Sequence, residues 1–166
     1  MRGKSEKSQS GKPDWSTYNY KSGLKLDEKV MVALVKASEV YKKDSDAIYK
    51  DYGMTFSQYN VLRVLNNSKN GQNTVTVASK IMLVSGPNMT GIAKRLEKNG
   101  FILRKHDPKD ERITVLEITP KGKRVLKNIK DAHYENISNY LRGFSDTEKE
   151  KLLENLKQMF NNSSLK

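Results

Sequence analysis

The chain contains no cysteine in 166 residues. That removes disulfide frameworks, thiolate metal sites, cysteine nucleophiles and thiol-based redox switching together. Histidine is almost as scarce. His106 and His133 stand far apart in different contexts, too little material for a histidine metal site or a catalytic triad. No apolar run approaches the roughly 20 residues a membrane-crossing helix needs. The basic N-terminus has no apolar segment behind it, which argues against a signal peptide. These absences lead to the expectation of a cytoplasmic protein without membrane, metal or cofactor.

Acidic residues are also in short supply. Thirty-one Lys and Arg face nineteen Asp and Glu, a formal net charge of +12. Such a field favours polyanions, nucleic acid first and an anionic membrane surface second. The excess is spread along the chain, so the charge alone marks no site. With 36% hydrophobic and 30% charged residues, the composition is polar for a globule but not that of a disordered chain. Its length suffices for one domain with a core.

Residues 1–23 open small, polar and basic and read as a tail. Trp15, Tyr18 and Tyr20 at its end suggest a segment that packs on something. From Leu24 the period turns helical. Leu26, Val30, Ala33, Leu34, Ala37, Val40, Tyr41, Ile48 and Tyr52 make one apolar stripe that needs another surface, its own or a partner's. Thr55 and Gln58 form a capping box for a short helix through Leu65. Residues 66–73 are turn material, and a further helix follows from about Val75 to Met82. Ser85 then stands where it can cap a third helix, with Pro87 in its first turn. After Asn99-Gly100 the period becomes that of strands, at 101–106 and 113–118, joined by the polar turn DPKDER. Thr119-Pro120 starts a helix reaching about Arg142. Ser145 and Glu148 form a second capping box and open the last helix, through Phe160. The fold class is mainly α with a two-stranded β-hairpin. Residues 24–166 form one domain, in which 54–118 are a winged helix-turn-helix lobe.

Three short helices followed by a hairpin is the order of a winged helix-turn-helix, in which the third helix enters the major groove and the hairpin touches the neighbouring minor groove or backbone. On the third helix, about 86–98, Met89, Ile92, Ala93 and Leu96 fall on one face. Pro87, Gly91, Lys94 and Lys98 fall opposite, flanked by Asn88, Thr90 and Arg95. A solvated amphipathic helix would show the same two faces. The adjoining hairpin shifts the balance, because its tip gathers Arg104, Lys105, Lys109 and Arg112, with Asp110 placed to hold Arg112 extended. Arginine is favoured in a narrow minor groove.

The stretches MTFSQYNVLRVL, VSGPNMTGIAKRLEKNGFILRKHDPKDER and LEITPKGKRVL resemble the multiple-antibiotic-resistance regulator (MarR) family in order and spacing. The likeness is strong over residues 54–126. The resemblance implies a homodimer in which 24–53 and 119–166 interlock across a two-fold axis, meeting a pseudo-palindromic site on double-stranded DNA. It implies that Ser85, Asn88, Thr90 and Lys94 face the groove, and that Arg112 is a minor-groove arginine braced by Asp110. The chain departs from the family pattern at Gly91 and Glu111, where arginine is usual. Losing a long bidentate donor at position 91 removes base discrimination of about 1–3 kcal/mol.

The resemblance also implies a small aromatic effector in a crevice, with Tyr41, Tyr52, Tyr59, Arg63 and His133 as candidates beside Tyr49 and Tyr134. An arginine among aromatics suits a carboxylate, and core packing explains the same residues equally well. Two other classes remain open on the sequence. One is a winged-helix module for protein contacts. The other is an enzyme such as a nuclease, which would need a carboxylate cluster that the chain does not display convincingly.

Overall fold

The computed structural model describes residues 23–163. The basic segment expected at 1–23 lies outside them, Gly23 apart, as do Trp15, Tyr18 and Tyr20. The described residues fall into two units, one ending at Ser38 and one beginning at Glu39.

Helix α1 spans Leu26–Lys50. In the first unit its Leu26, Val30, Met31, Leu34 and Val35 are all exposed to solvent. In the second unit the same helix buries Ser45 and Tyr49 instead. Neither belongs to the stripe read from the sequence, while Tyr52 falls beyond the helix end.

The rest of the second unit follows the expected order. Helix α2, Phe56–Asn66, begins at the capping box of Thr55 and Gln58. Its first turn is pinned again by Asp46, whose carboxylate accepts the Phe56 amide. These contacts satisfy amide groups that a helix start otherwise leaves orphaned. A 3₁₀ turn at Lys69–Gly71 leads into strand β1, Gln72–Thr74, whose first two residues fall in the turn expected at 66–73. Helix α3 spans Val75–Met82 and helix α4 Gly86–Lys98. Between them Leu83 takes a left-handed conformation, φ 51°, where glycine is the usual occupant. Strands β2, Ile102–His106, and β3, Thr114–Ile118, form the hairpin. The sheet has three strands in the order β1-β3-β2, all antiparallel neighbours. Helix α5 spans Pro120–Tyr140 and helix α6 Asp146–Asn161, the latter opened by the Ser145–Glu148 capping box.

The core lies under α2, α4 and the sheet. Leu62, Leu65, Met89, Leu96, Ile102, Leu116 and Ile129 are fully buried, each contributing on the order of 1.5–3 kcal/mol relative to exposure. The start of α5 is fitted tightly to the sheet. Thr119 accepts the Gly122 amide and donates to the Gly100 carbonyl at 2.8 Å. A Cβ at Gly122 would overlap the Phe101 carbonyl oxygen and come within 2.8 Å of Ile118 Cγ1. The glycine of the Thr119-Pro120-Lys121-Gly122 run is thus a packing requirement. No helix among the described residues is long and apolar enough to cross a membrane.

Candidate nucleic-acid interface

Helix α4 presents the two faces its spacing predicts. Met89, Ala93 and Leu96 are buried and Ile92 is half-buried. Pro87, Asn88, Lys94, Arg95 and Lys98 are exposed, while Thr90 and Gly91 are half-buried. Ser85 occupies the N-cap position, but its hydroxyl makes no capping hydrogen bond. That departs from the capping role expected of it and leaves the hydroxyl at the exposed end of the helix. The first turn carries no acid, and a helix N-terminus without one favours anions. A Cβ at Gly91 would meet only Arg95 Nη2, at an ordinary contact distance of 3.8 Å, so the backbone there has room for a first side-chain carbon.

The wing differs from its reading. Cross-strand partners of an antiparallel pair share a face. Arg104 stands opposite the buried Leu116, so it points inward, toward α4. There its Nη1 lies 3.5 Å from Glu97 Oε2. Arg104 is therefore not part of the tip. Lys105 sits on the outer face and pairs with Glu117, whose Oε2 also accepts Gln72 Nε2 at 2.9 Å. The Lys105 ammonium holds the Glu117 carboxyl below its usual range. Lys105 is thus tied within the sheet and does not join the tip cluster expected from the sequence.

The tip itself is a backbone structure. Asp107 Oδ1 accepts the Lys109 amide at 2.8 Å and Asp110 Oδ1 accepts the Arg112 amide at 2.9 Å. His106 Nδ1 donates to the Glu111 carbonyl at 2.8 Å. Asp110 therefore braces the Arg112 main chain, not its guanidinium as expected. Lys109 and Arg112 are left exposed and form no ion pair among the described residues. Among the described residues no group of three or more His, Cys, Asp or Glu could hold a metal.

The aromatic candidates for an effector crevice pack on one another. Tyr49 and Tyr59 rings stack at 4.3 Å, and His133 lies 5.0 Å from Tyr59. Arg63 Nη1 donates to His133 Nε2 at 3.4 Å, which places the imidazole proton on Nδ1, donating to Tyr49 Oη at 2.7 Å. Burial first, and Arg63 second, push the His133 pKa down. Burial raises both the Tyr49 and the Tyr59 hydroxyls. Tyr41 packs edge-on against Phe56 and Tyr140, and Tyr52 donates to the Asn128 carbonyl at 3.5 Å. Tyr134 is exposed. Arg63 borders an open groove, about 380 Å³, between α2 and α3, with Asn60, Val64, Ile81 and Met82.

Sequence reasoning missed the Glu97–Arg104 pair and the Glu117–Lys105 pair. Strict alternation along 102–106 held the signal, since it separates positions 102 and 104 from 103 and 105.

Known proteins share the fold and part of the sequence. The family model of the transcriptional regulators SarA and Rot matches residues 43–129. An uncharacterised helix-turn-helix regulator of Bacillus subtilis, YkoM, is 34% identical over 66% of this chain and 70% of its own length. SarZ of Staphylococcus aureus is 29% identical over 66% of this chain and 81% of its own. Among solved structures, the MarR family regulator Sco3205 of Streptomyces coelicolor in complex with DNA superimposes with a TM-score of 0.78. It is 21% identical and covers 88% of this chain and 94% of that one. MepR of S. aureus, also solved with DNA, gives 0.75 at 20% identity, over 80% and 97%. The chain belongs to the SarA/Rot family of transcriptional regulators, and its fold is the winged helix of MarR regulators.

Proposed function

We propose that the protein is a homodimeric, sequence-specific DNA-binding regulator. Helix α4 enters the major groove, with Ser85, Pro87, Asn88, Thr90 and Gly91 nearest the bases and Lys94 and Arg95 toward the backbone. The wing tip reaches the minor groove through Arg112, with Lys109 on phosphate and Asp110 setting the loop. The observation that carries this reading is that Lys94, Arg95, Lys98, Lys109 and Arg112 are exposed and unpaired among the described residues, on the helix and hairpin that a winged helix lays on a duplex. The exposed apolar residues of α1 and α6 supply the surface for a second copy, making 24–53 and 119–166 the dimerisation helices. A small anionic effector, in this reading, enters by the groove at Arg63, since the rings of Tyr49 and Tyr59 already fill the space beside His133.

The test is fluorescence anisotropy with a labelled duplex from upstream of the protein's own gene and a scrambled control, at several salt concentrations. The upstream duplex is expected to bind more tightly, with a steep salt dependence from counterion release. Arg112→Ala should weaken binding about tenfold, within the range of one base or phosphate contact, and leave the melting temperature unchanged. Binding to the upstream, scrambled and randomised duplexes that is weak and insensitive to salt would point to a protein-contact module.

A further inference from the structure

We infer that Arg104 and Glu97 are positioning residues that set the angle of the wing against α4, and that Arg104 acts on the helix rather than on nucleic acid. This rests on the DNA-binding reading above.

Four observations combine. The register puts Arg104 opposite Leu116 and two residues beyond Ile102, both fully buried, so the arginine lies on the inward face of the hairpin. Its side chain is 26% exposed, and its Nε is buried with no hydrogen-bond partner. Its guanidinium meets Glu97, the residue after the buried Leu96 on α4. The hydrogen bonds at the junction of α4 and β2 lie at its base, where the Phe101 amide donates to the Leu96 carbonyl at 2.9 Å and the Thr119 hydroxyl donates to the Gly100 carbonyl at 2.8 Å.

Two points fix an angle where one leaves a pivot. Arg104 lies three residues along the strand from Phe101, about 10 Å at the usual strand rise. Lys109 and Arg112 lie beyond it, so an angular error at the base grows toward the tip. Strand β1 restrains β3, the strand away from α4, whereas the Arg104–Glu97 pair restrains β2 directly. The Lys105–Glu117 pair on the outer face joins residues of one sheet and fixes nothing to the helix. The distance between the groove-reading helix and the minor-groove arginine is thereby set by a contact that touches neither groove.

The sign of one substitution separates this from a direct role. Glu97→Gln removes a negative charge close to the duplex, and electrostatics alone would tighten binding. Loss of positioning weakens it instead. The experiment uses the full chain, a duplex selected from a random pool by the unaltered protein, and Glu97→Gln, Arg104→Met and the double variant. Each single variant is expected to weaken binding about tenfold, the scale of a contact coupling. The double variant should be no weaker than either. Arg104→Met keeps the apolar stem and removes the orphaned Nε, so its fold should survive. Amide hydrogen exchange over residues 102–118 should quicken in all three proteins without DNA. Glu97→Gln binding as tightly as the unaltered chain, a double variant about a hundredfold weaker, or unchanged exchange would overturn the inference. If the unaltered chain selects no duplex, the functional reading fails, and the exchange measurement alone decides the pair.

Discussion

Helices α4 and α6 are amphipathic in the same way and end up differently. Helix α4 has 13 residues and buries Met89, Ala93 and Leu96 against α2, α3 and the sheet. Helix α6 has 16 residues with leucines at similar spacing, and it buries none. Leu152, Leu153 and Phe160 face solvent, and Leu153 and Phe160 line an open groove of about 390 Å³ with Leu156. Periodicity therefore defines a face, and it does not define what covers that face. The winged lobe covers the apolar face of α4, though Ile81 and Leu83 beside it stay exposed, while α6 and the first part of α1 hold their apolar faces open. Exposed apolar patches of this kind are the usual mark of an interface.

The largest expected effect is inside the lobe. Leu96→Ala should cost about 2–5 kcal/mol in urea denaturation, because Leu96 is fully buried and the helix around it cannot collapse freely. A loss as small as that of a surface change would mean that α4 is not packed as described. Next comes the open face. Leu153→Glu with Phe160→Glu should leave helical content unchanged and yield monomers by sedimentation velocity, with stability lowered only through lost association. A dimer that survives both charges would remove α6 from the interface.

The smallest effect lies at His133, in the second unit. Its pKa is depressed in the folded protein, so the neutral form is favoured there. Between that value and the ordinary one near 6.5 the unfolded chain binds more protons. Stability from this group is full above about 6.5 and is lost as pH falls through the folded value. The melting temperature should therefore drop between pH 7 and pH 5.5, and His133→Gln should flatten that drop. An unchanged slope in the variant would assign the acid sensitivity elsewhere. Glu117 and Glu148, both held below the usual carboxylate range, act only at lower pH.

What could be read from the sequence was what is written locally. The Thr55–Gln58 and Ser145–Glu148 boxes fixed two helix starts because each cap is complete within four residues. The buried face of α4 was legible because one helix period decides it. Strand β1 was not, since three residues carry no period and its partners Val115, Leu116 and Glu117 lie more than 40 positions away. The wing was misread for the same reason. Arg104, Lys105 and Arg112 are near in sequence to the tip, but only the β2–β3 register shows which of them point inward, outward or free. The tyrosines looked like a crevice because type and spacing cannot distinguish rings that line a space from rings that fill it.

Thr74 belongs to two elements at once. It is the last residue of β1, paired with Val115, and its hydroxyl accepts the Val77 amide to cap α3. Peeling β1 from the sheet would also uncap the first helix of the helix-turn-helix. The wing and the reading head are accordingly expected to unfold as one cooperative block. Their amides should exchange with a common opening free energy, and a destabilised wing would reach the duplex with a destabilised helix behind it.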